Sequence, residues 1–277
     1  MEKTQASKIL KAIGIMVLLS LLILCGWWAH VLISRSQPPT TIADIAYDNI
    51  RRGRDVDYRI FIEENGELVP YLVLTANYGG NVLLLREHVM DETRPFNPTP
   101  RDGGWGWSDF GAYYPTSDIN NFLNTEFMDT LGGQVIAAIV ASDIVVTDKD
   151  SIGGGGRGDI SKVITRNVFL LSLRELGVPD PIVSVPEGQV LRFFRGHHSG
   201  RVATFSDGRV MPYWTRTPST RTTYLVFAIG INSPGFGTAD VNSGVRPAFA
   251  VARTTAITTH TDIINGRNIF ILDVTRR

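Results

Sequence analysis

Cysteine is almost missing from this chain: one residue in 277, Cys25, inside a run that carries no charged side chain. Everything after that run is therefore expected to fold without an internal disulfide and without a cysteine-ligated metal. Net charge is missing too, because 27 basic side chains balance 27 acidic ones. No overall field gathers a polyanion, and nucleic acid is not an expected partner. The local signatures of common enzymes are absent as well: there is no nucleophile elbow, no metalloprotease helix and no phosphate loop ending in Gly-Lys-Ser/Thr. Asp148, Asp150 and Asp159 bracket glycines 153–156, yet the calcium-hand spacing and its closing glutamate are not there. His197 and His198 are adjacent, so regular structure does not converge them on one ion. The sequence thus predicts no cofactor, no metal site and no catalytic residue, although distant side chains can still be brought together by a fold.

What is present, first, is an apolar run over residues 12–33. Its 22 residues, at about 1.5 Å each, match a hydrocarbon core of about 30 Å. Lys3, Lys8 and Lys11 precede it and Arg35 alone follows closely. The positive-inside rule then predicts a cytoplasmic tail over 1–11, a transmembrane anchor over 12–33 in contact with the lipid bilayer, and an extracytoplasmic remainder at the plasma membrane. A cleaved signal peptide would need a small-x-small site, and a lipidated Cys25 would need a small residue where Leu24 stands. Trp27, Trp28 and His30 fit the outer interface. Residues 34–57, with Pro38 and Pro39, read as a juxtamembrane linker. A globular domain is expected over 58–254, with a carboxyl-terminal extension over 255–277 that holds a last strand.

Within the domain, strand-like patterns over 58–62 and 68–75 flank Asn65-Gly66, a hairpin signal, and Gly79-Gly80 turns the chain into an apolar run over 81–86. Pro95, Pro98, Pro100 and three glycines surround Trp105 and Trp107. Together with Tyr113 and Tyr114 these tryptophans form a candidate ligand surface, able to stack on sugar rings or to plug the domain's own loops. Ile119, Phe122, Leu123, Phe127 and Leu131 recur at helical spacing after a Ser117 or Asp118 cap, and Gly132-Gly133 offers a stop. Strands are expected over 144–147, 167–171 and 223–229. Ser172 and Glu175 have capping-box spacing for a short turn ending near Gly177. The last strand, over 268–272 after the Asn265-Gly266 turn, is expected either to form a hairpin edge or to pair with the early segment near Tyr58.

Two blocks stand out in the carboxyl half: Tyr213-Trp214-Thr215-Arg216-Thr217-Pro218 and Gly244-Val245-Arg246-Pro247-Ala248. With Asp118-Ile119-Asn120-Asn121-Phe122-Leu123-Asn124 and Val168-Phe169-Leu170-Leu171-Ser172, they resemble in order the motifs of the bacterial family DUF6273, over roughly residues 68–251. The family's first block opens on a tryptophan pair, where this chain has Tyr213, and it carries a basic residue where Asn121 stands. The resemblance implies a surface-associated, C-type lectin-like module and transfers no catalytic group. The expected fold class is accordingly α+β, a single transmembrane helix followed by short helices and antiparallel strands. Physically, Trp214 and Phe249 can close a core. Arg216 and Arg246 can satisfy loop carbonyls or a buried carboxylate, while Pro218 and Pro247 end ladder pairing. The expected function is an anchored recognition or surface-interaction module for a glycan or protein ligand. The alternative is an envelope hydrolase or modifying enzyme with a non-standard site.

Overall fold

A computed structural model describes residues 16, 19–25, 27–28, 38–49, 58–98, 109–153, 160–179, 184–196, 198–231, 234–261 and 268–273. It divides into two compact units, Met1–Pro39 and Thr40–Arg277. In the first unit every described residue from 16 to 28 is helical, and Leu22, Ile23, Trp27 and Trp28 are exposed. No helix among the described residues is long and apolar enough to cross a membrane, which corrects the expected membrane-spanning helix.

The second unit is mostly sheet, which overturns the α+β, lectin-like expectation. Its longest α-helix among the described residues, α1 (Asp118–Asn124), has seven residues. Ser117 caps it, its Oγ accepting from the Asn120 N–H at 3.3 Å. The amphipathic run that predicts one helix breaks at Thr125, with φ −128° and ψ −92°, and restarts as α2 (Glu126–Thr130). Gly132 opens a further helix, α3 (Gly133–Ala138), where a stop was expected. Fragmentation of this kind shows packing prevailing over periodicity, since short helices gain little from their own backbone.

The large sheet curls into a half-barrel. Its first strands are β1 (Arg59–Glu64), β2 (Glu67–Tyr78) and β3 (Asn81–Arg86). Asn65 at φ 51° and Gly66 at φ 82° form the two-residue turn between β1 and β2, in the left-handed conformations such hairpins require. Gly79 and Gly80 turn β2 into β3 in the same way. After the two-residue β4 (Arg94–Pro95) come β5 (Ile139–Val140), β6 (Ser142–Thr147), β7 (Ser161–Arg166) and β8 (Val168–Phe169), then a short helix α4 (Arg192–Gly196). The chain continues through β9 (Tyr213–Pro218), β10 (Leu225–Ile229), β11 (Pro234–Thr238), β12 (Asn242–Ser243), β13 (Ala248–Val251), β14 (Ala256–Thr261) and β15 (Asn268–Asp273).

Strand order in the large sheet is β14-β15-β1-β2-β3-β13-β5, with β8 also on β13. The carboxyl-terminal strand does return to the amino-terminal one, β15 running parallel to β1 with Phe61 opposite Ile271. Strand β13 is buried at all four positions and pairs with β3, β5 and β8. Smaller sheets join β9-β10-β11, β4-β12 and β6-β7. Among the described residues Trp214, Tyr71, Tyr114, Phe96, Phe127, Phe169, Phe194 and Phe249 are the bulkiest apolar side chains of the core, each under 2% exposed.

Candidate functional site

Of the predicted ligand surface, Trp105 and Trp107 lie outside the described residues. Tyr113 and Tyr114 are buried. The Tyr114 hydroxyl accepts the Leu170 N–H at 3.2 Å, and burial pushes its pKa up to about 12. The Tyr113 hydroxyl accepts from the Lys162 ammonium. These two rings present no free face for stacking. His197 lies outside the described residues, among which no three His, Cys, Asp or Glu side chains cluster as a metal would need.

The two arginine blocks do converge with buried polar groups, and they do so differently. Arg216, on β9, is wholly buried. It grips Glu175 with two nitrogens, Nη1 at 2.6 Å and Nη2 at 2.9 Å, and donates to the carbonyls of Leu170 at 2.8 Å and Val145 at 3.0 Å. Glu175 also accepts from the Tyr78 hydroxyl at 2.8 Å. Its Oε2 accepts the Ser172 N–H at 3.0 Å while Ser172 Oγ accepts the Glu175 N–H at 3.1 Å, the reciprocal capping box that the sequence predicts. A second carboxylate, Glu187, lies 4.0 Å from Arg216 Nε. It accepts from Thr147 N at 2.6 Å and from Thr217 Oγ1 at 2.6 Å. Burial is the largest influence on it and pushes its pKa up to about 7, against the pull of Arg216 and its hydrogen bonds. This network is sealed and cross-links β2, β6, β9 and the 172–187 loops. Trp214, on the same strand, donates from Nε1 to the Arg94 carbonyl at 3.0 Å and packs edge-on against Phe96. Pro218 is the buried last residue of that strand.

Arg246 precedes β13 and is 3% exposed. Its Nε donates to the Arg86 carbonyl at 2.8 Å, and Nη1 donates to the Gly200 carbonyl at 3.2 Å and to the Tyr213 hydroxyl at 3.5 Å. Among the described residues no carboxylate comes within ion-pair distance of it. It lines a cleft of about 210 Å³ instead. Tyr58, Leu72, Phe193 and Val202 supply the apolar lining, whereas Glu87, His88 and Thr204 supply polar groups beside Arg246.

Neighbouring backbone fixes these groups. Arg86 donates from Nη1 to the His88 and Val89 carbonyls at 2.9 and 2.6 Å, so the turn after β3 is clamped from inside. Val89 N donates to the Thr204 carbonyl at 3.0 Å, and Met90 N to the Val245 carbonyl at 2.9 Å. Phe193, on α4, meets Tyr47 and Tyr58 edge-on with ring centroids 5.0 and 5.4 Å away. Glu87 is held by Arg59 through two hydrogen bonds of 2.8 Å. His88 Nδ1 lies 3.2 Å from Thr204 Oγ1. No carboxylate among the described residues orients that imidazole, so a hydroxyl and a ring nitrogen stand together without the third member of a triad. Pro247, beside β13, and Phe249, within it, are buried.

Sequence reasoning finds Arg246 but not His88, Thr204, Phe193 or Tyr58, which lie far apart along the chain and share no spacing motif. A larger cleft of about 380 Å³ lies between α1 and β7. Two of its amides are already committed: Asn120 Oδ1 accepts from Arg166 Nε at 2.8 Å, and Asn124 Oδ1 accepts from Asn167 N and Val168 N at 3.2 Å.

No curated protein and no solved structure matches the chain. The sequence model of one family, a domain of unknown function, matches residues 79–253, more than half of the chain. That span holds both arginines with most of their partners, Tyr78 excepted, and most of the cleft, while β1, β2, β14 and β15 lie outside it and complete the same sheet. On that match, with the ordered motif blocks behind it, the chain belongs to the DUF6273 family.

Proposed function

We propose that this protein is an extracytoplasmic recognition or surface-interaction module, held at a membrane by its apolar amino-terminal segment, that takes its ligand in the cleft beside His88 and Arg246. The observation that supports this reading most is the make-up of the cleft: aromatic and aliphatic lining next to a few oriented polar groups, the usual composition of a binding site. The cleft offers contacts and no complete set of reacting groups. A binding screen of the full chain against cell-wall fragments, host glycans and peptides tests the proposal. Binding that Thr204→Phe abolishes, by filling the cleft, is the expected outcome, and uniformly negative binding would sink it. Fractionation with externally added protease tests the location; the expected result is a membrane-associated chain whose large unit is digested from outside.

One contact favours a second reading, an envelope hydrolase: the His88 imidazole within hydrogen-bond reach of the Thr204 hydroxyl. Turnover of cell-wall or ester substrates that vanishes in both His88→Gln and Thr204→Val would replace recognition by catalysis.

A further inference from the structure

The chain buries other arginines, and they differ from Arg246 in one respect. Arg216 faces Glu175 and Arg86 faces Glu64, so each of those charges is neutralised inside the protein. Arg246 spends its hydrogen bonds on two carbonyls and a hydroxyl, which satisfy donors without cancelling charge. Among the described residues its Nη2 has no hydrogen-bond partner, and it is not a buried unsatisfied atom, so it keeps access to solvent. Arg201, whose carbonyl accepts from the Tyr213 hydroxyl, adds a second guanidinium with no carboxylate at ion-pair distance among the described residues. Its Nη2 is bound to the Gly177 and Phe194 carbonyls, and the Tyr213 hydroxyl donates to its own carbonyl at 2.7 Å. Glu87 is the acid of the cleft lining, and Arg59 already holds both its oxygens.

A buried cation is costly unless something pairs with it, and a guanidinium edge is matched in shape to a carboxylate. Resting on the recognition reading above, we infer that the ligand of this cleft carries a carboxylate beside an apolar side chain, the chemistry of a peptide's free carboxyl end. The carboxylate meets Arg246, with His88 as a neighbouring donor, and the side chain lies against Phe193, Tyr58 and Leu72. Size agrees with this choice. At about 210 Å³ the cleft is below the roughly 300–1,000 Å³ of a site that engulfs a whole drug-sized molecule. It accommodates one terminal residue and leaves the rest of the ligand outside.

The test is side-chain NMR of histidine-labelled full chain titrated with N-acetyl-phenylalanine, with its uncharged amide, and with glucuronate. The acid is expected to shift the His88 ring signals saturably, the amide to leave them unmoved, and exposed His260, on β14, to respond to neither. Arg246→Gln, if it folds, is expected to bind the acid about tenfold or more weakly, as loss of a charged hydrogen bond implies. If that variant does not fold, the acid-against-amide comparison in the unaltered chain decides alone. Equal shifts with acid and amide would overturn the anionic ligand while leaving a recognition cleft. Binding of glucuronate without the amino acid would overturn the peptide end in favour of an acidic sugar. Silence of His88 to all three would overturn the inference, and the recognition reading falls with it only if the wider screen is also empty.

Discussion

Arg216 and Arg246 lie in similar sequence blocks, each followed within two residues by a proline, and both are carried into the interior of one unit. Around Arg216 the chain supplies everything a buried guanidinium requires: two carboxylates, two carbonyls and the hydroxyls that satisfy the carboxylates in turn. Around Arg246 it supplies hydrogen-bond acceptors and an opening but, among the described residues, no carboxylate at ion-pair distance. Satisfying donors and neutralising charge are separate physical requirements. A site that meets the first and leaves the second is stable enough to fold and still able to attract an anion. The first arginine is a cross-link; the second is a cross-link that also lines an open cleft.

The sharpest way to break this contrast is Arg216→Met. It strands Glu175 and Glu187, whose side chains are 2% and 0% exposed, without a cation. A loss of about 3–5 kcal/mol is expected in urea unfolding, and a loss below about 1 kcal/mol would erase the distinction. Next is the pH dependence carried by Glu187. Its pKa is raised to about 7 from an ordinary 4.5, so the folded state binds that proton more tightly than the unfolded state. Its contribution is therefore full below pH 4.5 and is lost as pH rises through 7, by up to about 3 kcal/mol. Comparing the unaltered chain with Glu187→Gln over pH 4–8 should show this falling component removed in the variant; parallel curves would contradict it.

Arg246→Met should cost less than Arg216→Met, about 1–3 kcal/mol, because it orphans the Arg86 and Gly200 carbonyls and leaves no carboxylate behind. A cost equal to that of Arg216 would mean that a hidden counter-charge exists. The smallest effect is expected from His88→Gln, a partly exposed position, whose thermal unfolding should stay within about 0.5 kcal/mol of the unaltered chain. Ligand binding in the cleft should nevertheless weaken in that variant, which separates recognition from scaffolding.

Much of the sheet was legible locally. Asn65-Gly66 and Gly79-Gly80 announce their turns because few other residues adopt positive φ cheaply, and the strands on either side follow from alternation and apolar runs. Ser172 and Glu175 announce their reciprocal bonds by spacing alone. Other segments misled. The 118–131 stripe looks continuous, yet the chain bends at Thr125 to let Asn124 bond the Asn167 and Val168 amides and the Val168 carbonyl. Strand β7, Ser161–Arg166, carries no strong apolar signal and exists through its pairing with β6. For the site, Trp214, Arg216 and Arg246 were visible as residues, but Glu187, Thr204 and His88 were not visible as their neighbours. Tyr113 and Tyr114 looked available for stacking because exposure is not written in residue type.

By itself the sequence determined the absence of disulfides from the globular unit, the balance of charge, the hairpin turns, the family blocks and the two arginines that demand partners. Those properties depend on composition or on residues a few positions apart. Only the tertiary structure decided that the fold is mostly sheet, that strands from both ends of the chain complete it, and that one arginine meets two carboxylates while the other meets a cleft. The partners of Arg216 stand some 30 to 70 residues away along the chain, and Arg86, whose carbonyl Arg246 holds, stands 160 away. Contacts that distant are fixed by which strands pair and which loops close over them, and no local pattern encodes that choice.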